Sequence, residues 1–286
     1  MSNYYIADLH IGHANVISYD NRPFADVDEM NQALVNNWNS VVTDDDTVYV
    51  LGDFIWGKEY LWEPWLKQLS GKKNLILGNH DPHGGFSKSI RKHFHEVTNL
   101  LEIKDSGYHV IMCHYAIPFH RADYATNCYM LYGHVHNTRE YDYLVKLRRS
   151  IIANNENKAC TQGNFINVGC MMPWMNYTPR TIEEIITGDK KYRCPDAESI
   201  GSRCKEIFER YSVRKAILLK DGVDNFEIVN YDIVLLIDAP LRGLDYFGFV
   251  ADLEEELNLR ISVKLASSID DQNIIRKRIT ESIRVY

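Results

Sequence analysis

The chain has 286 residues, 45% of them hydrophobic and 25% charged, with a formal charge of −7. That balance belongs to a soluble globular protein with room for one large domain or two ordinary ones. It excludes a membrane-spanning chain, because no apolar run approaches ~20 residues, and a nonspecific nucleic-acid binder, because no basic tail or stripe is present.

The six cysteines form no C-x-x-C pair and no regular spacing, which favours reduced thiols in a cytosol over a disulfide framework. Met1-Ser2-Asn3 leads straight into a strand, so no signal peptide is expected and the expected location is cytoplasmic.

Residues 3–7 read as the first strand. It ends on Asp8 and His10, two apart and so on one face of an extended chain. The next five residues form a loop over the same edge. Its His13 and Asn15 are either substrate contacts or merely solvated. Asp26-x-x-Glu29 has the spacing of a capping box, and Met30, Leu34, Trp38 and Val41 follow as the core stripe of a helix. Asp44-Asp45-Asp46 splays in three directions and is expected to be a solvated turn.

Residues 47–51 form the second strand, delivering Gly52-Asp53, and residues 63–69 a helix with Pro64 in its first turn. A third, buried strand lies behind Lys72 and Lys73 and turns sharply through Gly78-Asn79-His80-Asp81. Residues 86–94 read as a short basic helix. Strands at 97–103 and 108–113 join at Asp105-Ser106-Gly107, a hairpin turn, and the second ends in His114. Cys113 should face away from the site.

Residues 115–128 are a loop whose His120, Arg121 and Asn127 could set specificity. Residues 129–132 return as a strand into Gly133-His134-Val135-His136, where the glycine admits a close backbone approach. A helix is expected over 138–152 with Lys146, Arg148 and Arg149 on its solvated face. A last strand (165–168), a closing helix (181–186) and a linker at 188–196 follow.

Five times an apolar run leads into metal-ligand side chains: at Asp8 and His10, at Asp53, at Asn79, His80 and Asp81, at His114, and at His134 and His136. Polar residues just past the carboxyl ends of buried strands are where α/β sheets place their sites. The pooled ligand set holds two carboxylates, an amide oxygen and four imidazoles without a thiolate. It suits manganese first, with iron, zinc or nickel as alternatives, over magnesium or copper(I).

The ordered set Asp-x-His, Gly-Asp, Gly-Asn-His-Asp, lone His and Gly-His-x-His resembles the calcineurin-like metallophosphoesterases, over residues 1–187. The resemblance implies an α/β fold, a β-sandwich flanked by helices, with two divalent metal ions. Asp8, His10 and His136 would hold one ion, Asn79, His114 and His134 the other, and Asp53 would bridge them. It implies a shared water aimed at phosphorus and His80 as the catalytic histidine over the phosphoryl group. Asp81 would orient His80, or else cap the turn.

The expected activity is phosphodiester hydrolysis. The alternatives are a phosphomonoesterase, or a regulatory protein binding a nucleotide or a partner through its rear domain. Phosphatases of that family often carry a further Asp and Arg after Gly-Asp; here Phe54-Ile55-Trp56-Gly57 stands instead, against phosphoprotein substrates. His13, Asn15 and Arg121 are the candidate substrate contacts.

Residues 197–286 read as a separate α/β unit: a helix at 197–211, strands at 213–219 and 233–237, a helix striped by Tyr246, Val250, Leu253 and Leu257, and a strand at 260–265. The order resembles the minimal nucleotidyltransferase fold. Lys220-Asp221 stands where that family has Gly-Ser, Asp232 keeps one metal acid, Val234 replaces the second and Ser262 the third. One carboxylate cannot hold a two-metal site. The expectation is a catalytically inactive copy kept for packing, a protein partner or self-association.

Overall fold

Apolar runs rich in β-branched and aromatic residues pair as strands, and among the described residues they do so in three sheets. The structure is a computed structural model that describes residues 1–153, 161–193, 197–219, 233–257, 259–266 and 283–286. It is a mixed α/β protein of two units, Met1–Asp189 and Lys190–Tyr286.

In the front unit β1 (Asn3–Ile6), β2 (Thr47–Val50), β3 (Lys72–Ile76) and β4 (Phe94–Thr98) form a parallel sheet in that order. A second sheet runs β5 (Leu100–Asp105), β6 (Tyr108–Cys113), β7 (Cys128–Tyr132) and β8 (Phe165–Asn167). Its β5 is antiparallel to β6, and β6, β7 and β8 are parallel. Parallel strands send their carboxyl ends to one edge, so both sheets can deliver side chains there.

The sheets touch where Ala7 bridges Gly169, with Ala7 N–H donating to the Val168 carbonyl at 2.8 Å. Tyr5 Oη of β1 also reaches Asp105 Oδ2 of β5 at 2.7 Å.

Two helices precede β2, and the second is made as its sequence directs. α1 is the single turn Val16–Tyr19, and α2 spans Val27–Val41. Asp26 caps α2 by accepting from the N–H groups of Asp28 and Glu29, while the Glu29 carboxylate returns to Ala25 N–H. Met30, Leu34 and Trp38 are buried along one face, as their spacing predicts.

Several expectations need correction. The basic helix shrinks to α4 (Lys88–Arg91), after the short α3 (Glu63–Leu66), because Phe94 is claimed by β4, where it pairs with Lys73. The strand expected at 97–103 is two strands interrupted at Asn99: Thr98 pairs with Ile76 in one sheet and Leu100 with Cys113 in the other.

Arg148, on α5 (Arg139–Ala153), is buried rather than solvated. It pairs with Asp189 at 3.1 Å, and its guanidinium lies over Phe165. α6 (Ile182–Arg193) runs on through residues 188–193, where a linker was expected, and 194–196 lie outside the described residues.

The rear unit carries α7 (Ala197–Arg203) and α8 (Lys205–Arg210), separated at Cys204 where one helix was expected. Its strands β9 (Lys215–Leu219), β10 (Ile233–Asp238), β11 (Ile261–Leu265) and β12 (Ile283–Arg284) order as β11-β10-β9-β12, with β10 and β11 parallel. On α9 (Leu244–Leu257) the inward face centres on Phe249, Leu253 and Leu257, with Tyr246 and Val250 alongside. Lys220, Asp221 and Asp232 lie outside the described residues.

Asp46 is a further correction, because it closes the turn into β2 from a buried position. Its carboxylate accepts from Thr43 Oγ1 at 2.7 Å, Thr43 N at 2.9 Å and Ser2 N at 2.7 Å. Those bonds, the Thr43 hydroxyl first, lower its pKa to about 2. A folded pKa below the unfolded one stabilises the fold above the ordinary carboxylate range, and the effect fades as pH falls towards 2. Asp46→Asn should therefore destabilise the protein at pH 7, and the gap to wild type should close on acidification. Chemical denaturation of both proteins between pH 7 and pH 2.5 measures this.

Candidate metal centre

The turns past β1, β2, β3, β6 and β7 meet at one edge, stitched by backbone hydrogen bonds. Asp8 N–H donates to the Gly52 carbonyl, His10 N–H to that of Asp53 and Gly133 N–H to that of His114. Asp8, His10, Asp53, His134 and His136 all take the left-handed conformation, with φ of 56, 51, 50, 71 and 48°.

Extended-chain alternation is therefore not what aims these paired side chains. Two left-handed residues flank an inward-packed one, Leu9 or Val135, and both point into the site. Each such residue costs on the order of 1–3 kcal/mol, and such strain concentrates at functional sites.

Glycine is required at Gly78 and Gly133, among others. A Cβ on Gly78 would collide with Asp53 Oδ1, and one on Gly133 would lie 2.7 Å from Asp8 Oδ2 and from Ala7 Cβ.

The side chains converge in two groups. Ligand atoms of Asp8, His10, Asp53 and His136 lie within 4.8 Å of one another. In this group His10 Nε2 is 3.2 Å from His136 Nε2, and His136 Nε2 is 3.8 Å from Asp8 Oδ1. In the other group Asn79 Oδ1 stands 2.9 Å from His114 Nε2 and 2.8 Å from His134 Nδ1. Asp53 Oδ2 lies between them, 3.6 Å from His10 Nε2 and 3.6 Å from His114 Nε2.

The tautomers follow from the far side of each ring. His114 Nδ1 lies 2.8 Å from the Leu51 carbonyl, which only accepts, so Nδ1 carries the proton and Nε2 presents a lone pair. That lone pair faces the amide oxygen of Asn79, an acceptor against an acceptor. His136 Nδ1 lies 2.7 Å from Asp20 Oδ1 and donates to it, and its Nε2 lies 3.2 Å from that of His10.

Electron pairs brought this close repel unless a cation lies among them. Asp8 points the same way: burial pushes its carboxyl up, the neighbouring imidazoles pull it down, and it is fully enclosed. His10 is held neutral by burial and by cationic neighbours, and His134 is lowered chiefly by burial. Neutral imidazoles and an enclosed carboxylate fit a divalent cation better than they fit each other.

His80 stands exposed at the rim, its ring centroid 5.6 Å from that of His10 and its N–H bonded to Asp53 Oδ1. Asp81 does not orient it. That carboxylate turns inward and accepts from the N–H groups of Gly78, Asp53 and Phe54 at 2.8, 2.9 and 3.1 Å, so the capping alternative is the one observed. Burial pushes its pKa up to about 6, against the hydrogen bonds from Gly78 and Phe54.

His13 lies beside the cluster, 5.5 Å from the His10 ring. Asn15 is exposed at the start of α1, and Arg121 is exposed in the β6–β7 loop. Among the described residues no hydrogen bond or ion pair ties either side chain to the cluster.

Two residues were missed. Asp20 and Arg22 form a buried pair, Arg22 Nε and Nη2 reaching Asp20 Oδ2 at 3.0 and 2.8 Å. Arg22 also donates to the carbonyls of Leu9 and Asp8, so it braces the Asp8–His10 turn while Asp20 holds His136. Burial alone would raise Asp20, but His136 and Arg22 outweigh it and keep the carboxyl low, while His136 is raised in turn. A carboxylate on the remote nitrogen makes an imidazole a better donor. No spacing rule reveals the pair, since Asp20 is 116 residues from His136.

Fold and cluster together define an α/β protein with a candidate metal centre at a sheet edge. No protein-family model matches the chain. It is 36% identical over 152 residues to the uncharacterized protein MJ1445 of Methanocaldococcus jannaschii, spanning 52% of this chain and 78% of that protein. The chain belongs to the same family as that protein.

The gene 66 proteins of mycobacteriophages L5 and D29 are 43% and 41% identical over 88 residues, 29% of this chain. The match spans less than half of each, 42% and 43%. A protein of unknown function from Aquifex aeolicus, AQ665, aligns with TM-score 0.46 and 25% identity, over 65% of this chain and 97% of its own.

If the cluster holds manganese, Asp20→Asn should weaken its binding by about 10–100-fold, the usual scale for losing the carboxylate behind a ligating histidine. Calorimetric titration of metal into the variant, alongside its circular dichroism to verify folding, checks this.

Proposed function

We propose that the front unit is a metal-dependent phosphoester hydrolase of calcineurin-like sandwich architecture, a phosphodiesterase before a monoesterase. The observation that carries the reading is Asp53 Oδ2, equidistant at 3.6 Å from His10 and His114, each within its own ligand group. One oxygen shared by two pockets suits a dinuclear centre.

Asp8, His10, His136 and Asp53 would hold one ion, and Asn79, His114, His134 and Asp53 the other, with manganese first and iron, zinc or nickel as alternatives. Such ions supply an activated water and neutralise charge on the phosphoryl oxygens.

The chain's own residues do the rest. His80 has no place in either ligand group and is exposed, so its imidazole is free to give a proton to the leaving oxygen. The bond from its N–H to Asp53 Oδ1 ties its position to the shared carboxylate. The diester preference follows from charge. A monoester dianion calls for an added cation, yet among the described residues the only arginine or lysine bonded to the site is Arg22, buried against Asp20.

The rear unit reads as a nucleotidyltransferase-like fold without transfer chemistry. Val234 pairs in register with Ser262, so the two positions that would need acids are neighbouring, buried and uncharged.

His80→Ala should keep its metal and lose about 10²–10⁴-fold in turnover, with a smaller loss on esters whose leaving group needs no proton. Metal analysis beside steady-state kinetics separates that from a ligand's role. Asp53→Asn, by contrast, should lose affinity at both ion positions together with all hydrolysis. A variant that kept two tightly held ions would remove the shared-oxygen assignment.

A further inference from the structure

We propose that this site takes a phosphoester bearing a flat aromatic heterocycle, of the nucleoside class, stacked against Trp56. The proposal rests on the hydrolase reading above and names its substrate class.

Trp56 is pinned to the loop that carries His10. Its N–H donates to the Ile11 carbonyl at 2.9 Å, and Ile55 bridges Ile11. The His13 ring lies parallel to the indole, 3.9 Å away at 11°, so the plane of the indole is held from one side. The indole centroid is 5.1 Å from that of His80 and 6.3 Å from that of His10.

Trp38 and Trp62 are fully enclosed and fill the core, whereas Trp56 remains 37% exposed. The second ligand group has a similar rim. Tyr115 is 46% exposed, with its ring 4.8 Å from His134 and 5.1 Å from His114. Each group of ligands is thus bordered by an aromatic ring that is partly open to water.

An aromatic wall beside a phosphoryl site favours a substrate with a ring next to its phosphate. Base-on-aromatic stacking contributes about 1–3 kcal/mol, which corresponds to roughly 5- to 150-fold in affinity. The rings lie beside His80 and the candidate ligand histidines, so a heterocycle stacked on either of them sits next to the phosphoryl position. A formal charge of −7 with no basic stripe argues for a small nucleotide over a polymer, whose phosphates would need lysine and arginine.

The test uses two diesters with the same leaving group, thymidine 5′-(4-nitrophenyl phosphate) and methyl 4-nitrophenyl phosphate, on the manganese-loaded full chain. Wild type should show a KM about tenfold lower for the nucleoside ester. Trp56→Ala should raise that KM about tenfold more than the KM for the methyl ester, and Trp56→Phe should keep part of the preference. Metal content of each variant reports that the site is still assembled.

Equal KM values in wild type, or an equal rise for both esters in Trp56→Ala, would overturn the proposal. Calorimetry of thymidine 5′-monophosphate against methyl phosphate gives a second readout independent of turnover. Should neither ester be hydrolysed, the hydrolase reading falls. Tighter binding of the nucleotide, lost in Trp56→Ala, would then still uphold the platform, and equal binding would remove it.

Discussion

The crowding of ligand-type atoms at one edge is the constraint on which the front unit depends. The His114 Nε2 lone pair faces the amide oxygen of Asn79 at 2.9 Å, His134 Nδ1 lies 2.8 Å from the same oxygen, and His136 Nε2 lies 3.2 Å from His10 Nε2. A fully enclosed carboxylate, Asp8, completes the arrangement. None of this is favourable by itself. It persists because the surrounding chain over-determines where those atoms sit, through five left-handed residues of the cluster and hydrogen bonds between neighbouring turns.

The bracing follows a consistent division. Parallel strands bring the turns to one edge, and small residues at Gly78 and Gly133 let the turns approach. Asp81 gathers three backbone amides from two of those turns. Arg22 grips the carbonyls of Asp8 and Leu9 while sharing Asp20 with His136. α2 contributes as well: Asn31 Oδ1 accepts the Gly12 N–H at 2.8 Å, on the loop between His10 and His13. Buried polar groups of this kind stabilise only when each has its partner. Rigidity here is thus supplied by hydrogen bonds at the site and by apolar burial behind it, with Trp38, Trp62 and Phe54 fully enclosed.

Much of the fold was legible because burial imposes periodicity. The stripe of Met30, Leu34 and Trp38 predicted α2, and the buried run behind Lys72 and Lys73 predicted β3. Errors fell where tertiary pairing overrode local pattern. The apolar stretch after Glu96 reads as one strand, yet its two halves belong to different sheets, and nothing local marks Asn99 as the divide. Arg148 carries a helical-surface pattern but is drawn inward by Asp189 and Phe165, contacts its own helix cannot announce.

By itself, the sequence determined which side chains could serve as ligands and that each follows an apolar run, since ligand chemistry and strand burial are both local properties. Only the tertiary structure decided that Asp53 Oδ2 lies 3.6 Å from both His10 and His114, that Asp81 faces backbone amides, and that Asp20 stands behind His136. Those facts depend on distances between residues far apart in the chain. Such distances are set by how two sheets bring their carboxyl edges together, and no window of sequence contains them.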